Sequence, residues 1–284
     1  MNSLAENSVL YIYADGPREN ATNEQLNRIN HVREIIREKK WCKEVIIIKN
    51  TNNGGLDNSV VAAVSEVINR YGKIIVLEDD LVLSKGFLKY MNDALNLYES
   101  EEKVMNVSGY IPPVKESHLK ETFFIKAGTS SWGWGTWKRA WKHFRREPEK
   151  LYQEITSLGK ISEFNFEGSI DYFELLRSQI NSPMIVWDIC WYASVFLKEG
   201  YGLWPGKSLV RNIGHDNSGI HCTDGWWNNL YRKQQLSENN IVKKIEIKES
   251  ADAKKAVRSF YLYLSNPPLA VRIREKIKMK FSYK

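Results

Sequence analysis

Lys73-Ile-Ile-Val-Leu-Glu-Asp-Asp-Leu-Val-Leu-Ser-Lys-Gly-Phe87 is the stretch whose reading decides the fold. The apolar run Ile74 to Leu77 leads directly into Glu78, Asp79 and Asp80, and apolar residues then resume. A short β-branched run just after Gly72 reads as a buried strand of a parallel sheet. In open α/β sheets, ligands collect beyond the carboxyl ends of the strands, where these acids would sit. Crowded carboxylates at the end of an apolar strand destabilise the fold unless a cation offsets them. Hard divalent ions such as magnesium or manganese prefer oxygen ligands and keep open positions for substrate phosphates. The alternative is a solvated turn in which one aspartate caps a helix.

Working outward, the same alternation continues on the N-terminal side. Val9 to Tyr13 reads as a first strand that exits through Ala14-Asp15-Gly16-Pro17-Arg18. Leu26, Ile29, Val32 and Ile36 recur at helical spacing, which predicts a helix from about Asn23 to Lys40. Glu44 to Ile48 is a second strand, and Asn50 to Gly55 a loop able to adopt positive φ. Leu56 to Arg70 returns to helical spacing and stops at Gly72. Strand and helix in alternation predict a right-handed parallel sheet of βαβ units that includes the acidic strand. Downstream, Ser84 is the expected N-cap of a helix carrying Phe87, Leu88, Met91 and Leu95.

Beyond Val104 to Ser108 the pattern is less regular. Thr122 to Ile125 is another short strand, and the glycine and tryptophan segment Gly128 to Trp137 leads into a helix through Ala140, Trp141 and Phe144. Residues 145 to 170 are polar and loosely patterned. Helices are expected over Asp171 to Ile180 and Asp188 to Glu199, and short strands at Leu203 to Pro205 and Ser208 to Val210. A polar loop spans Asn212 to Cys222, and the chain turns basic from Gly225 onward.

The 284 residues suffice for one large domain or one domain with an appendage. Net charge of +7 suggests an anionic partner: a nucleotide, a nucleic acid or an acidic membrane face. The 12% aromatic content, with ten tryptophans, suits stacking on sugars or bases and equally suits a core. Cys42, Cys190 and Cys222 show neither a pairing pattern nor metal spacing, which fits a reducing compartment. Met1 to Asn7 lacks the basic and apolar regions of a signal peptide, and no run approaches the ~18 apolar residues of a membrane span. A cytoplasmic location is therefore expected.

There is no Walker loop, no GxGxxG after the first strand, no GxSxG elbow and no recognisable cysteine nucleophile. What remains is a nucleotide-type sheet with an acidic site in place of a phosphate loop. Asp15-Gly16-Pro17, Asn53-Gly54-Gly55-Leu56, Val76-Leu-Glu-Asp-Asp80, Ser131-Trp-Gly-Trp-Gly-Thr136 and Trp187-Asp-Ile-Cys-Trp191 follow one another in order. That series resembles nucleotide-sugar glycosyltransferases of the GT-A fold, in particular bacterial polysaccharide enzymes related to N-acetylglucosaminyltransferase I, over roughly residues 8 to 225.

The resemblance implies an α/β fold of GT-A type (Rossmann-like, a mainly parallel sheet flanked by helices) over residues 1–225, with a basic C-terminal extension over 226–284. It implies that the acidic triplet is the DxD motif, with Asp80 as metal ligand for Mn2+ or Mg2+ and with Glu78 and Asp79 on the ribose or donor sugar. Asp15 and Arg18 would hold the base or ribose, beside the donor-binding loop of Asn53 and Gly54. Asp188, in the Trp187-Asp-x-x-Trp191 setting, is the expected base of an inverting transfer; its alternative is an ordinary helix N-cap. Asp171, Glu163 and Glu167 are weaker candidates for that base. His221 would reach the metal or diphosphate; the alternatives are a loop histidine held by hydrogen bonds, or an HD-type hydrolase pair at His215-Asp216, whose further ligands are not evident. Trp132 and Trp134 would give the sugar or acceptor an apolar platform, or else fill a core turn.

The tail from Pro267 to Lys284 alternates Val271, Ile273, Ile277, Met279 and Phe281 with arginines and lysines. That suits contact with an anionic membrane, an edge strand, or a terminal helix packed on the domain. The expected function is metal-dependent transfer of a sugar from a nucleoside diphosphate, UDP favoured, to a glycan or lipid-linked oligosaccharide in bacterial capsule or O-antigen synthesis. The enzyme would be cytoplasmic or peripheral on the inner membrane face. A sugar-nucleotide pyrophosphorylase is the alternative enzyme, for which Asp15-Gly-Pro-Arg is a poor loop. A basic non-enzymatic module for nucleic acid or membrane is the other class, although no nucleic-acid motif is present and no nucleic-acid partner is expected.

Overall fold

The computed structural model describes residues 2, 4–114, 119–214, 227–238, 240–269 and 271, and it is an α/β fold around a mixed central sheet. Strand β1 (Val9–Ala14) and strand β2 (Glu44–Lys49) pair in parallel through helix α1 (Asn23–Ile35). Thr22 and Gln25 close a capping box at the start of α1. The helix ends at Ile35 and not near Lys40, because residues 36–40 continue only as turns. Helix α2 (Leu56–Tyr71) runs to Gly72, whose φ of 79° makes the left-handed turn into β3 (Lys73–Val76).

The acidic strand does not complete a parallel sheet with β1 and β2. Strand β3 is the first strand of a five-stranded sheet ordered β3-β7-β5-β8-β6, made with β5 (Val104–Ser108), β6 (Thr122–Lys126), β7 (Trp134–Trp137) and β8 (Tyr201–Pro205). Within it only β5 and β8 pair in parallel; β3 with β7, β7 with β5, and β6 with β8 are antiparallel. The expectation of a mainly parallel sheet is therefore corrected to a mixed one. The physical reason lies in β7, which comes from the glycine and tryptophan segment and returns beside β3 instead of crossing over it. A Cβ on Gly135 would sit 2.9 Å from the Ile74 carbonyl oxygen, so only glycine lets these two strands close.

The faces of β7 show how the layers are filled. Trp134 points into a cluster with Val64 and Ile68 of α2, Leu151 and Ile155 of α5 (Pro148–Ser157), and most of α8 (Trp187–Leu197). Trp137, three residues on, packs on the other side with Phe87, Tyr90, Met91 and Leu95 of α3 (Phe87–Leu97). Past α4 (Lys138–Trp141), residues 145–170, which looked loosely patterned, hold α5 and α6 (Ile161–Phe164), and the helix expected over Asp171 to Ile180 is α7 (Tyr172–Ser178). Helix α8 is buried on nearly every side, with Trp187 and the run Ile189 to Phe196 removed from solvent. A helix so enclosed is apolar all round, and Asp188 interrupts that rule.

Strand β4 (Leu81–Leu83) pairs antiparallel with β9 (Val210–Asn212), with Leu81 opposite Asn212. Ser84 does not cap α3: the cap position is Gly86, and the Phe87 amide donates to the Ser84 backbone carbonyl at 3.2 Å. The Ser84 amide is itself drawn into the ribbon, donating to Leu209 O, and this pulls the residue away from the helix end. Past α9 (Asn228–Arg232), the described part of the basic segment supplies α10 (Ala251–Ser265), whose Ala253 and Val257 are buried with Phe123, Ile125 and Trp204. Lys254 of α10 pairs with Glu167 and Glu249. Residues 272–284, where the tail was read as a membrane contact, lie outside the described residues. Among those described, no helix is long and apolar enough to cross a membrane.

Arg139 ties the end of α3 to the sheet. The Arg139 guanidinium donates to the carbonyls of Glu99, Tyr98 and Val104 at 2.6, 2.8 and 2.8 Å, and it lies 4.3 Å over the Trp137 ring. It thereby satisfies carbonyls left open at and just beyond the end of α3. Arg139→Lys keeps the charge but loses the planar fork, and should cost about 2 kcal/mol. In a thermal melt the expected drop is roughly 4–8 °C; an unchanged melting temperature would show that the fork contributes nothing.

Candidate functional site

The acids that follow β3 are not alike. Asp79 is exposed, whereas Glu78 and Asp80 are half-buried. Loss of hydration pushes the Glu78 carboxyl up to about 8, and the charges of Asp80, Asp188 and Asp79 add to the effect. Asp188, from the first turn of α8, thus stands within electrostatic reach of a residue 110 positions earlier in the chain. Its own carboxyl is raised, first by burial and also by Asp57, against the opposing pull of hydrogen bonds from the amides of Ile189 and Asp188 itself.

The β4–β9 ribbon fixes Asp80. Asn212 Nδ2 donates to Asp80 Oδ2 at 2.8 Å, and the Ile213 amide donates to the Asp80 carbonyl at 2.8 Å. The chain then passes so near that a Cβ on Gly214 would lie 2.3 Å from Oδ2. The second oxygen, Oδ1, is buried and accepts no hydrogen bond from the described residues. A carboxylate with one oxygen held and one left bare is an acceptor prepared for a donor or a cation. Asn212 was not among the residues singled out from the sequence; its signal was its place just before the polar loop, opposite the acidic stretch.

The other predicted residues fall into distinct groups. Asp15 accepts from the amides of Gly16, Gly54 and Gly55 at 2.9, 2.9 and 3.2 Å, and from Asn50 Nδ2 at 3.3 Å. Burial would raise its carboxyl, yet those donors together hold it below its ordinary value. Asp15 therefore joins two loops, and its oxygens are largely occupied by the protein. Asn53 does the same from the other side, donating through Nδ2 to Gly16 O at 3.1 Å and through its amide to Pro17 O at 3.0 Å. Arg18 is exposed at the rim of this joint, and Gly54 lines it.

Trp134 is fully buried, stacked on Trp187 with ring centroids 5.2 Å apart, so it is not a sugar platform. Its place on an inner strand of the sheet explains the correction: a ring on β7 facing α8 cannot also face solvent. Trp132 is half-buried, edge-on to Tyr110 and Tyr231 at 4.7 and 5.3 Å, and keeps part of its surface. Glu163 and Glu167 are engaged by Lys126 and Lys254, and Asp171 caps α7 through the Glu174 amide. None of these three is drawn to the acidic cluster. His215, Asp216 and His221 lie outside the described residues. Among the described residues, no three side chains of His, Cys, Asp and Glu gather into a metal site.

No family model and no curated protein matches the chain. The site must be read from its own chemistry. Glu78 feels the charge of its neighbour Asp80 and, from a distant segment, that of Asp188. One is raised to near neutrality, one has a bare buried oxygen, and one sits at a helix start among tryptophans. Asp80 offers an oxygen to a cation, and Asp188 a group able to accept a proton.

The Glu78 shift has a measurable consequence in metal-free protein. The folded state holds a proton up to about pH 8, whereas the ordinary glutamate value is 4.5. Folding stability should therefore fall as pH rises from about 5 to 8. Glu78→Gln should flatten that slope and at pH 8 stabilise the fold by about 1–3 kcal/mol. Urea titrations at pH 5 and pH 8 test this, and parallel slopes for the two proteins would place an ionised, hydrated glutamate at this position.

Proposed function

We propose that the protein is a metal-dependent glycosyltransferase of GT-A type, moving a sugar from a nucleoside diphosphate to a hydroxyl of a glycan or lipid-linked acceptor. The observation that carries this reading is Asp80, held by Asn212 through one oxygen with the other buried and bare, next to Glu78, whose carboxyl feels the charge of Asp188. The order of motifs from Asp15 to Trp191 supports it.

Asp80 fits a divalent ion. Its bare Oδ1 is buried, Asn212 fixes the carboxylate, and magnesium or manganese needs only one or two carboxylates when phosphates complete the shell. Bound there with the donor, such an ion supplies positive charge to the departing diphosphate. The remaining chemistry belongs to the chain. Asp188 accepts the proton of the acceptor hydroxyl as that oxygen bonds to the anomeric carbon. The bond from that carbon to the phosphate oxygen breaks, the nucleoside diphosphate leaves with the electron pair, and the sugar configuration inverts. A carboxyl raised by burial is a stronger base than a solvated one, which suits this task. Glu78 would contact a sugar or ribose oxygen of the donor.

Calorimetry with UDP, GDP and CDP, each with and without Mn2+, tests the reading together with a panel of sugar nucleotides screened for slow hydrolysis. One nucleotide should bind only with the metal. Asp80→Asn should abolish the metal-dependent part, a loss on the order of 100-fold in affinity, and binding that survives in the variant removes Asp80 from the metal site. Asp188→Asn should keep donor affinity within about twofold and lower kcat by a factor on the order of 100 or more. Near-normal turnover in that variant would assign the base elsewhere or make the transfer a retaining one.

A further inference from the structure

Helix α8 starts without a cap of its own. Val186 occupies the cap position and offers no side-chain acceptor. The acceptor comes instead from α2: Asp57 Oδ1 takes the hydrogen of the Trp187 amide at 2.9 Å, across 130 positions of sequence. The Asp188 carboxylate stands in the same turn, where the nearby amides of Ile189 and Asp188 pull its carboxyl down against the effect of burial. Two carboxylates thus share the first turn of one helix, where amide hydrogens point outward and favour negative charge.

A second tie joins the same two segments. Arg146 Nη1 donates to Asn58 Oδ1 at 2.6 Å and Nη2 donates to the Ile185 carbonyl at 2.8 Å. Adjacent residues of α2, Asp57 and Asn58, therefore each fasten the chain entering α8, one directly and one through Arg146. Met184 Sδ lies 3.9 Å from where a Cβ on Gly55 would stand, so the segment also lies against the start of α2. The same loop gives the Gly54 and Gly55 amides to Asp15.

We infer that Asp57 is a positioning residue for Asp188: it holds the first turn of α8 against the Asn53–Gly55 loop and places a second carboxylate beside the base. The inference rests on Asp188 being the base proposed above. Geometry gives Asp57 two separable actions. Its oxygen fixes the helix end, and its charge makes the neighbouring carboxylate harder to ionise and so more basic. Among the described residues, the other titratable groups that face Asp188 are Glu78 beyond β3, Tyr172 of α7 and Cys190 on its own helix, while the Arg146 guanidinium acts on Cys190. Of these and Asp57, only Asp57 accepts a hydrogen bond from a backbone amide of α8's first turn.

The two actions separate in the variants Asp57→Asn and Asp57→Ala, made in the full chain. Asn keeps an acceptor oxygen and drops the charge; Ala drops both. Carboxyl 13C NMR of metal-free protein follows the Asp188 titration, with its signal identified by loss in Asp188→Asn. Both variants should titrate Asp188 lower than wild type, by roughly half a unit to one unit. In turnover assays Asp57→Ala should reduce kcat about tenfold while donor KM stays within about twofold, as expected when a group orienting the base is lost. Asp57→Asn should recover most of kcat above neutral pH, with the acid limb of its pH profile moved down. An unmoved Asp188 titration in both variants overturns the inference. So does an equal loss of kcat in Asn and Ala that tracks a common fall in melting temperature. If wild type turns over no sugar nucleotide yet Asp57→Asn still lowers the Asp188 titration, the coupling stands and the transferase reading falls.

Discussion

Mutual repulsion among carboxylates at one end of an aromatic-filled sheet is the constraint on which the rest of this structure depends. Glu78, Asp80 and Asp188 would separate if the chain were free to let them. They are held because β3 is locked to β7, because the β4–β9 ribbon pins Asp80 through Asn212, and because α8 is enclosed by apolar neighbours on almost every side. Burial of large aromatic groups supplies the opposing free energy. Trp134, Trp137 and Trp191 are almost wholly removed from water, and truncating any one ring would cost about 3–5 kcal/mol. The unfavourable cluster can persist because the layers around it are rigid.

Charge and hydrogen bonding then divide the labour among residues of the same type. Asp15, Asp80 and Asp188 are all half-buried aspartates near strand or helix ends. Asp15 is saturated with donors and lies below its ordinary carboxyl value. Asp80 has one oxygen held and one bare. Asp188 is poor in donors relative to its burial and is raised. Three environments turn one side chain into a brace, a ligand and a base in the proposed reading.

Much of this was legible in the chain. The apolar runs at Val9 to Tyr13 and Val45 to Ile48 declare strands through β-branched content, and Gly72 declares the end of α2. The acidic triplet and the Trp187-Asp-x-x-Trp191 pattern stand out because charge beside apolar residues is rare. The strand β7 was hidden, since local propensity reads Trp-Gly-Thr-Trp as a turn. Only the approach of the Ile74 carbonyl explains why glycine belongs there. Asn212, Asp57 and the true partners of Asp15 escaped for a different reason. Their hydrogen bonds span 132, 130 and 35 to 40 positions, and no local periodicity encodes a contact at that separation.

The helix α1 buries none of its residues, and the strands β1 and β2 beneath it are at most half-covered. What ties β1 to α2 is largely polar: Tyr11 meets Tyr71 and Arg70, and Tyr13 donates to Glu66. Fastenings of that kind exchange readily with water, whereas the tryptophan seam of the central sheet does not. The lobe bearing Asp15 can therefore loosen and re-seat while the rest stays folded, with amide exchange there outpacing that of β7 and α8.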